Sequence, residues 1–198
     1  MDNLFEVDES STPLTEEEKN ELIPTWITLR KELNEIERAG ILNAEKWVFS
    51  RKQKNILTED FIKKLHKKMF GDVWSWAGRF RTTERNIGVP AWQIVNDLRN
   101  LLEDTKCWIE NETYPPDEIG ARFHHRLVWI HPFPNGNGRH SRLMTDILMK
   151  DLGQPRFSWG EGSLLESSEL RNKYIQALKA ADNGQFKLLL DFVRMKSK

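Results

Sequence analysis

Residues 131–142 read HPFPNGNGRHSR, and the interpretation of this stretch governs that of the whole chain. Asparagine and glycine alternate at positions 135–138, with His131 before them and Arg139 and Arg142 after them. An Asn-Gly pair is a strong signal for a β-hairpin turn. However, the flanking sequences FHHRLVWI and RHSRLMTDILMK carry apolar residues at helical rather than alternating spacing. The stretch therefore predicts a glycine-rich turn between two helices, and a hairpin is the alternative.

This turn has the chemical features of an anion site. Glycines allow consecutive backbone N–H groups to point into one concavity at a helix N-terminus, where the helix dipole favours negative charge. Arg139 and Arg142 would lie near that terminus, where guanidinium groups oppose the dipole unless an anion is bound. An imidazole that titrates near neutrality, such as His131, could take a proton from a hydroxyl beside bound phosphates. The spacing predicts anion binding and leaves catalysis open.

Outside this turn, helical periodicity covers most of the chain and predicts an all-α fold class. Seven or more helices are expected, one of them ended by Gly40 and another capped by Thr58. One short β-hairpin is expected within residues 79–89, which read RFRTTERNIGV. Residues 1–14 are predicted to be a flexible N-terminal tail and residues 15–198 a single compact domain.

Composition excludes several classes of protein. Thirty basic and 30 acidic residues give no formal net charge, which argues against a protein that coats nucleic acid. No apolar run approaches the length of a membrane span. The single cysteine, Cys107, rules out an internal disulfide and is expected to be buried on a helix. We expect a cytoplasmic protein without nucleic-acid or membrane partners.

The stretch HPFPNGNGRHSR resembles the motif HPFx(D/E)GNGRxxR of the Fic/Doc (Fido) family, and eight of its nine specified positions match. The segments LHKKMFGDVWSWAGRFR, FHHRLVWIHPF and RLMTDILMKDLGQP are similar to neighbouring parts of the same family. The resemblance covers roughly residues 20–155 and is strongest to small single-domain bacterial members, including those carried on mobile elements.

The resemblance implies a Fic-like helical bundle with a β-hairpin flap, and a protein nucleotidyltransferase activity. Members typically transfer AMP from ATP to a Ser, Thr or Tyr hydroxyl of a target protein. His131 would be the catalytic general base, and Phe133 would hold the loop by packing into the core. The implied nucleotide- and phosphate-binding residues are Asn135, Gly136, Asn137, Gly138, Arg139 and Arg142.

One position departs from the family pattern: Asn135 stands where the motif has an acid. The acid normally helps to bind Mg²⁺, and a neutral amide oxygen is a weaker ligand for this hard cation. We therefore expect ATP as the substrate and Mg²⁺ to be held weakly. The alternative is a nucleotide-binding regulatory module with weak or lost catalysis, and a kinase-like transferase ranks below both.

The sequence contains neither a clear inhibitory motif nor a complete set of metal ligands. The family's inhibitory pattern [S/T]xxxE[G/N] has no clean copy, and residues 12–17 come nearest. Control by a separate inhibitor or antitoxin-like protein is therefore an open alternative. The spacing of His124, His125 and His140 suggests zinc, but no acid or cysteine completes a site, so no metal ligands are assigned. His66 lies among lysines and is expected at the surface.

Overall fold

The computed structural model describes Leu4 and residues 14–160 and 168–195 of the chain. This part of the chain is α-helical, with a short 3-10 turn at Ala91–Gln93, and the all-α prediction is confirmed. The described helices are α1 (Glu16–Lys19), α2 (Arg30–Phe49), α3 (Glu59–Phe70), α4 (Ile94–Glu110), α5 (Pro116–Ile130), α6 (Asn137–Asp151), α7 (Ser168–Asp182) and α8 (Lys187–Val193).

Helix starts follow the local sequence. Thr58 caps α3, because its hydroxyl accepts the N–H of Phe61 at 3.3 Å. Pro116 is the first residue of α5, a position where its missing N–H and fixed φ have no cost. The predicted tail, residues 1–14, lies outside the described residues except for Leu4 and Leu14.

The prediction that Gly40 ends a helix is wrong, because α2 continues through it to Phe49. A Cβ at position 40 would lie 2.4 Å from the carbonyl oxygen of Met69 in α3. Glycine is therefore needed for the close approach of α2 to α3 rather than for a change of chain direction. Cys107 is exposed, so the expectation that it is buried is also wrong.

Two clusters of buried side chains form the core. The larger lies among α2 to α6, and the smaller joins α7 and α8 to Phe157 and Trp159. Helices α5 and α6 pack along each other and contribute to both clusters: Met144 belongs to the larger and Met149 to the smaller. The two helices that flank the glycine-rich turn are thus supported from both sides.

Asp146 links the two clusters from the middle of α6. It accepts hydrogen bonds from Trp159 Nε1 at 3.0 Å and from the Phe157 amide at 3.3 Å, and it pairs with Arg156 at 3.2 Å. Burial raises the pKa of Asp146 to about 6, although the Arg156 charge opposes this change. Arg156 also pairs with Glu45, so the same arginine fastens α2 to α6.

The predicted β-hairpin is not confirmed, because the described backbone of residues 80–90 forms bends without strands. The side chain of Arg81 donates instead to the carbonyl groups of Thr83 and Val89, one in each limb of the segment. A single guanidinium therefore satisfies both limbs, and no ladder of backbone hydrogen bonds forms between them. No helix within the described ranges has the length and apolar character needed to cross a bilayer.

Candidate active site

The glycine-rich stretch is a turn between two helices, as predicted. His131 follows the last residue of α5 in a left-handed conformation (φ 52°), and Gly136 precedes α6 with φ 78°. The buried side chain of Asn137 accepts the N–H of Phe133 at 2.9 Å and donates to the Phe133 carbonyl at 2.7 Å. This two-way brace closes the turn and rules out the hairpin alternative.

The start of α6 presents polar groups suited to an anion. The backbone amides of Asn137, Gly138 and Arg139 lie in the first turn, where the helix itself supplies no acceptor. The helix dipole adds partial positive charge at the same place. A Cβ at Gly138 would lie 3.7 Å from an Nη atom of Arg142, so this guanidinium lies beside the helix start.

Phe133 and His66 support the turn from the core. The Phe133 ring is fully buried and stacks on the His66 ring with centroids 3.7 Å apart. Nε2 of His66 lies 3.0 Å from the Asn135 carbonyl, which can only accept, and its Nδ1 accepts the Gly78 amide at 3.1 Å. His66 is 0% exposed, so the surface prediction is wrong: the ring points away from the lysines of its helix into the core.

His131 has the geometry of a neutral base. Its Nδ1 lies 3.3 Å from the Val128 carbonyl, which can only accept, so Nδ1 carries the hydrogen and Nε2 the lone pair. Burial lowers the pKa of His131 to about 4, and the nearby cations Arg81 and Arg85 act in the same direction. The expectation that this imidazole titrates near neutrality is therefore wrong, and it is unprotonated at pH 7.

Arg142 is held by a buried polar chain that begins in α7. Its guanidinium carbon lies 5.9 Å from the centroid of the Tyr174 ring, and the Tyr174 hydroxyl is 2.8 Å from Nε2 of His124. Nδ1 of His124 faces the Thr145 hydroxyl at 3.4 Å, and that hydroxyl donates to the Ser141 carbonyl. Because the Thr145 hydroxyl proton is already bonded to the Ser141 carbonyl, its oxygen can only accept from Nδ1 of His124. Nε2 of the neutral ring then carries the lone pair and accepts the Tyr174 hydroxyl proton.

These bonds direct the Tyr174 oxygen lone pairs toward Arg142. Burial lowers the pKa of Arg142, and the interaction with Tyr174 partly opposes this effect. Among the described residues, no carboxylate forms an ion pair with Arg142. A cation without an acidic partner at a helix N-terminus is the arrangement that a bound anion would complete.

Arg139 has a different environment. Its guanidinium pairs with Glu37 of α2 at 2.7 Å and lies 4.9 Å from the centroid of the Phe70 ring. Glu37 is buried and also accepts Trp74 Nε1 at 2.8 Å. The two arginines of the motif therefore diverge: Arg139 is neutralised by α2, and Arg142 is not.

The donor set at Asn135 does not fit a protein-held divalent cation. Its side-chain oxygen accepts the Gly136 amide at 2.5 Å and lies 3.4 Å from an Nη atom of Arg139. A hard cation at this oxygen would therefore face a guanidinium and no carboxylate from the motif. In the described part of the chain, no group of three or more His, Cys, Asp or Glu side chains could hold a metal ion.

The acid of the nearest copy of the inhibitory pattern does not pair with an arginine of the motif. Thr12 lies outside the described residues, and Glu16 is exposed and pairs with Lys19 at 2.6 Å. Sequence reasoning also missed Glu37 and Tyr174, which contact the two motif arginines. No local pattern marks either residue, because both lie far along the chain from the turn.

Comparison with protein families gives a match at the same residues. The model described as "Fic/DOC family" matches residues 56–149, which include α3 to α5, the turn and most of α6. The protein named "Protein adenylyltransferase Fic" of Drosophila yakuba is 32% identical over 145 residues. That alignment covers 71% of this chain but 28% of the relative, so the chain spans little more than a quarter of such proteins.

Solved structures share the fold. Fic-1 (residues 134–508) of C. elegans aligns with a TM-score of 0.65 and 24% identity over 89% of this chain and 51% of that one. BepC of Bartonella tribocorum, solved with bound AMPPNP, gives a TM-score of 0.67 at 16% identity and covers 91% and 97% of the two chains. An N-terminal Fic domain of Bartonella quintana with bound ADP gives 0.68 at 17% identity, over 89% and 94%.

Proposed function

Because this chain belongs to the Fic/DOC family, we propose that it is a protein adenylyltransferase that moves AMP from ATP onto a hydroxyl side chain of a target protein. The name of the Drosophila relatives supports the reaction, and the nucleotides in the Bartonella structures support the donor. The observation that carries the proposal is Arg142, a cation without a carboxylate partner in the described chain, beside the first-turn amides of α6. The turn that leads into this helix begins with the neutral base His131.

The proposed reaction uses each of these groups once. The phosphates of ATP bind the amides at the start of α6 and Arg142, with Asn135 to Arg139 forming the rest of the site. The target hydroxyl oxygen attacks the α-phosphorus, and the bond from that phosphorus to the bridging oxygen breaks as pyrophosphate leaves with the electron pair. Nε2 of His131 takes the hydroxyl proton. Catalysis then comes from positioning and charge stabilisation, assisted by the base.

Divalent metal enters this proposal only with the substrate. Asn135 offers one neutral oxygen that already accepts a hydrogen bond, so the chain's own residues hold Mg²⁺ weakly. We infer that Mg²⁺ arrives bound to the ATP phosphates.

Labelled ATP tests the reaction. Incubation with cell lysate should place label from the α-phosphate on protein, and His131→Ala should abolish labelling while ATP binding persists. Label that appears only from the γ-phosphate would replace the proposal with a kinase-like transfer.

A second candidate function is a nucleotide-binding regulatory module with weak catalysis. It is favoured by Asn135 and by the low pKa of His131, since a weaker base assists proton transfer less. Saturable ATP binding without protein labelling over a wide range of Mg²⁺ concentration would support this candidate over the first.

Partners and compartment complete the proposal. The target carries a Ser, Thr or Tyr hydroxyl, and a separate inhibitor or antitoxin-like protein supplies the control that no clean inhibitory motif provides. A chain with one cysteine, exposed in the structure, suits the reducing cytoplasm.

A further inference from the structure

Arg81 is a buried cation that the reaction described above does not use. It is 3% exposed, and within the described ranges it forms no ion pair with a carboxylate. Its guanidinium instead donates to backbone carbonyl groups. Nε donates to the carbonyl oxygen of His131 at 2.7 Å, and one Nη donates to the carbonyl oxygen of Thr83 at 2.9 Å. The other Nη donates to the carbonyl oxygen of Val89 and lies 3.5 Å from that of Ile130.

Two of these carbonyls form the C-terminal end of α5. Carbonyl groups in the last turn of a helix lack intrahelical partners, and the dipole there favours a cation. His131 adopts φ 52°, a conformation that non-glycine residues rarely hold without support. The Arg81 bond to the His131 carbonyl gives that support at the residue that carries the proposed base.

The other two carbonyls belong to residues 80–90, which we call the flap segment. The Arg81 amide also donates to the Pro132 carbonyl at 2.9 Å, so the segment is bound to the turn by backbone as well. A Cβ at Gly88 would lie 2.7 Å from the Cβ of His131, and only glycine permits this approach. The flap segment therefore rests directly on the residue that Arg81 supports.

We propose that Arg81 is a positioning residue for His131 and couples the conformation of the flap segment to the orientation of the imidazole. The inference rests on the proposed function, in which His131 is the base. Because one planar guanidinium holds both the flap carbonyls and the helix end, a target protein that displaces the flap segment also shifts His131. A lysine could supply the charge but not a fixed fork of donors.

The charged groups around His131 influence its pKa, so a change in its titration can report on the Arg81 contact. Arg81 and Arg85 are the cations that act on the imidazole, and Arg85 is paired with Glu18 of α1. Glu84 is the acid that acts on Arg81. Since Arg85 is neutralised in part by its partner, Arg81 is the cation whose removal should change the titration of His131 most.

The test uses Arg81→Gln and Arg81→Lys in the full chain. Both should lower kcat for AMP transfer at least tenfold and leave KM for ATP within twofold, because the phosphate site lies on α6. Gly88→Ala disturbs the same contact from the flap segment, and it should likewise lower kcat while leaving KM for ATP nearly unchanged. Arg79→Gln is the matched control: Arg79 pairs with Glu21 near the surface and should leave both constants unchanged.

NMR titration of the His131 ring provides a readout that does not need transfer. Between pH 7 and pH 5.5, where the fold is still intact, the ring signals should begin to move at a higher pH in Arg81→Gln than in the wild type, while ATP affinity stays as in the wild type. A loss of ATP affinity equal to the loss of kcat, or an unchanged His131 titration in Arg81→Gln, would overturn the inference. If the wild type transfers no AMP, the proposed function fails while the titration still tests the coupling.

Discussion

Lowering the pH from 7 to 5 should destabilise this protein strongly, because several of its histidines are buried as neutral rings. Burial lowers the pKa of His124 to about 3, and that of His131 and His140 to about 4, from the ordinary histidine value of 6.5. A group whose pKa is depressed on folding stabilises the fold above its unfolded pKa. That stability is lost as the pH falls from 6.5 toward the folded pKa.

The loss in the free energy of unfolding depends on how far the pH falls below 6.5, the pKa of histidine in the unfolded chain. At pH 5 each unfolded histidine has gained nearly one proton, and at about 1.4 kcal/mol per pH unit this favours unfolding by about 2 kcal/mol for each ring. Three rings give about 6 kcal/mol, and His66, whose pKa burial also lowers, adds to this. Asp146 has a raised pKa, so the folded state takes up its proton first and gains about 1 kcal/mol of stability as the pH falls. The net loss of about 5 kcal/mol is comparable with the whole stability of many domains.

Urea unfolding followed by tryptophan fluorescence at pH 7 and pH 5 measures this difference. His140→Gln should be less stable than the wild type at pH 7, yet its loss between the two pH values should shrink by about 2 kcal/mol. Met144→Ala, in the same helix and fully buried, removes no titratable group and should keep the full loss. A wild-type loss below about 2 kcal/mol would refute the reasoning, because it would mean that the rings are not held neutral by burial.

Four further predictions concern the site and the fold. Tyr174→Phe should raise KM for ATP about tenfold by removing a hydroxyl that faces a guanidinium, and Tyr114→Phe, which also lies against an arginine, should have no effect. Asn135→Asp should raise transfer at limiting Mg²⁺ about tenfold, and identical metal titrations for the two proteins would contradict the assigned role. The rate of AMP transfer should stay nearly constant between pH 8 and pH 6, because the pKa of His131 lies well below this range. A base with the usual histidine pKa would keep only about a quarter of its activity at pH 6. A pH–rate profile with its midpoint near 6.5 would show that His131 is not the base. Gly40→Ala should cost about 1–3 kcal/mol in the free energy of unfolding, and an unchanged urea midpoint would show that α2 and α3 can separate freely.

Local signals made the turn predictable. The alternation of asparagine and glycine, the helical spacing on both sides and the threonine before α3 each act within a few residues. The turn, the capping by Thr58 and the all-α class follow from them. The same reasoning failed at Gly40, because a local rule reads glycine as a helix end and cannot detect the α3 carbonyl that lies against it.

Contacts between distant residues were out of reach of such signals. Glu37 meets Arg139 across 102 positions, and His124 meets Tyr174 across 50. Arg81 likewise reaches the end of α5 across 50 positions and takes the place of the expected strand pairing in the flap segment. No periodicity in the chain encodes these pairs, because each arises only when whole helices pack.

Amino-acid order was thus sufficient to predict a glycine-rich turn between two helices and to nominate His131 as a candidate base. Packing determined which arginine keeps its charge unpaired, how His131 is held and whether its ring is protonated. The physical reason is range: backbone conformation depends on neighbouring residues, whereas desolvation and ion pairing depend on what α2, α7 and the flap segment bring to the turn.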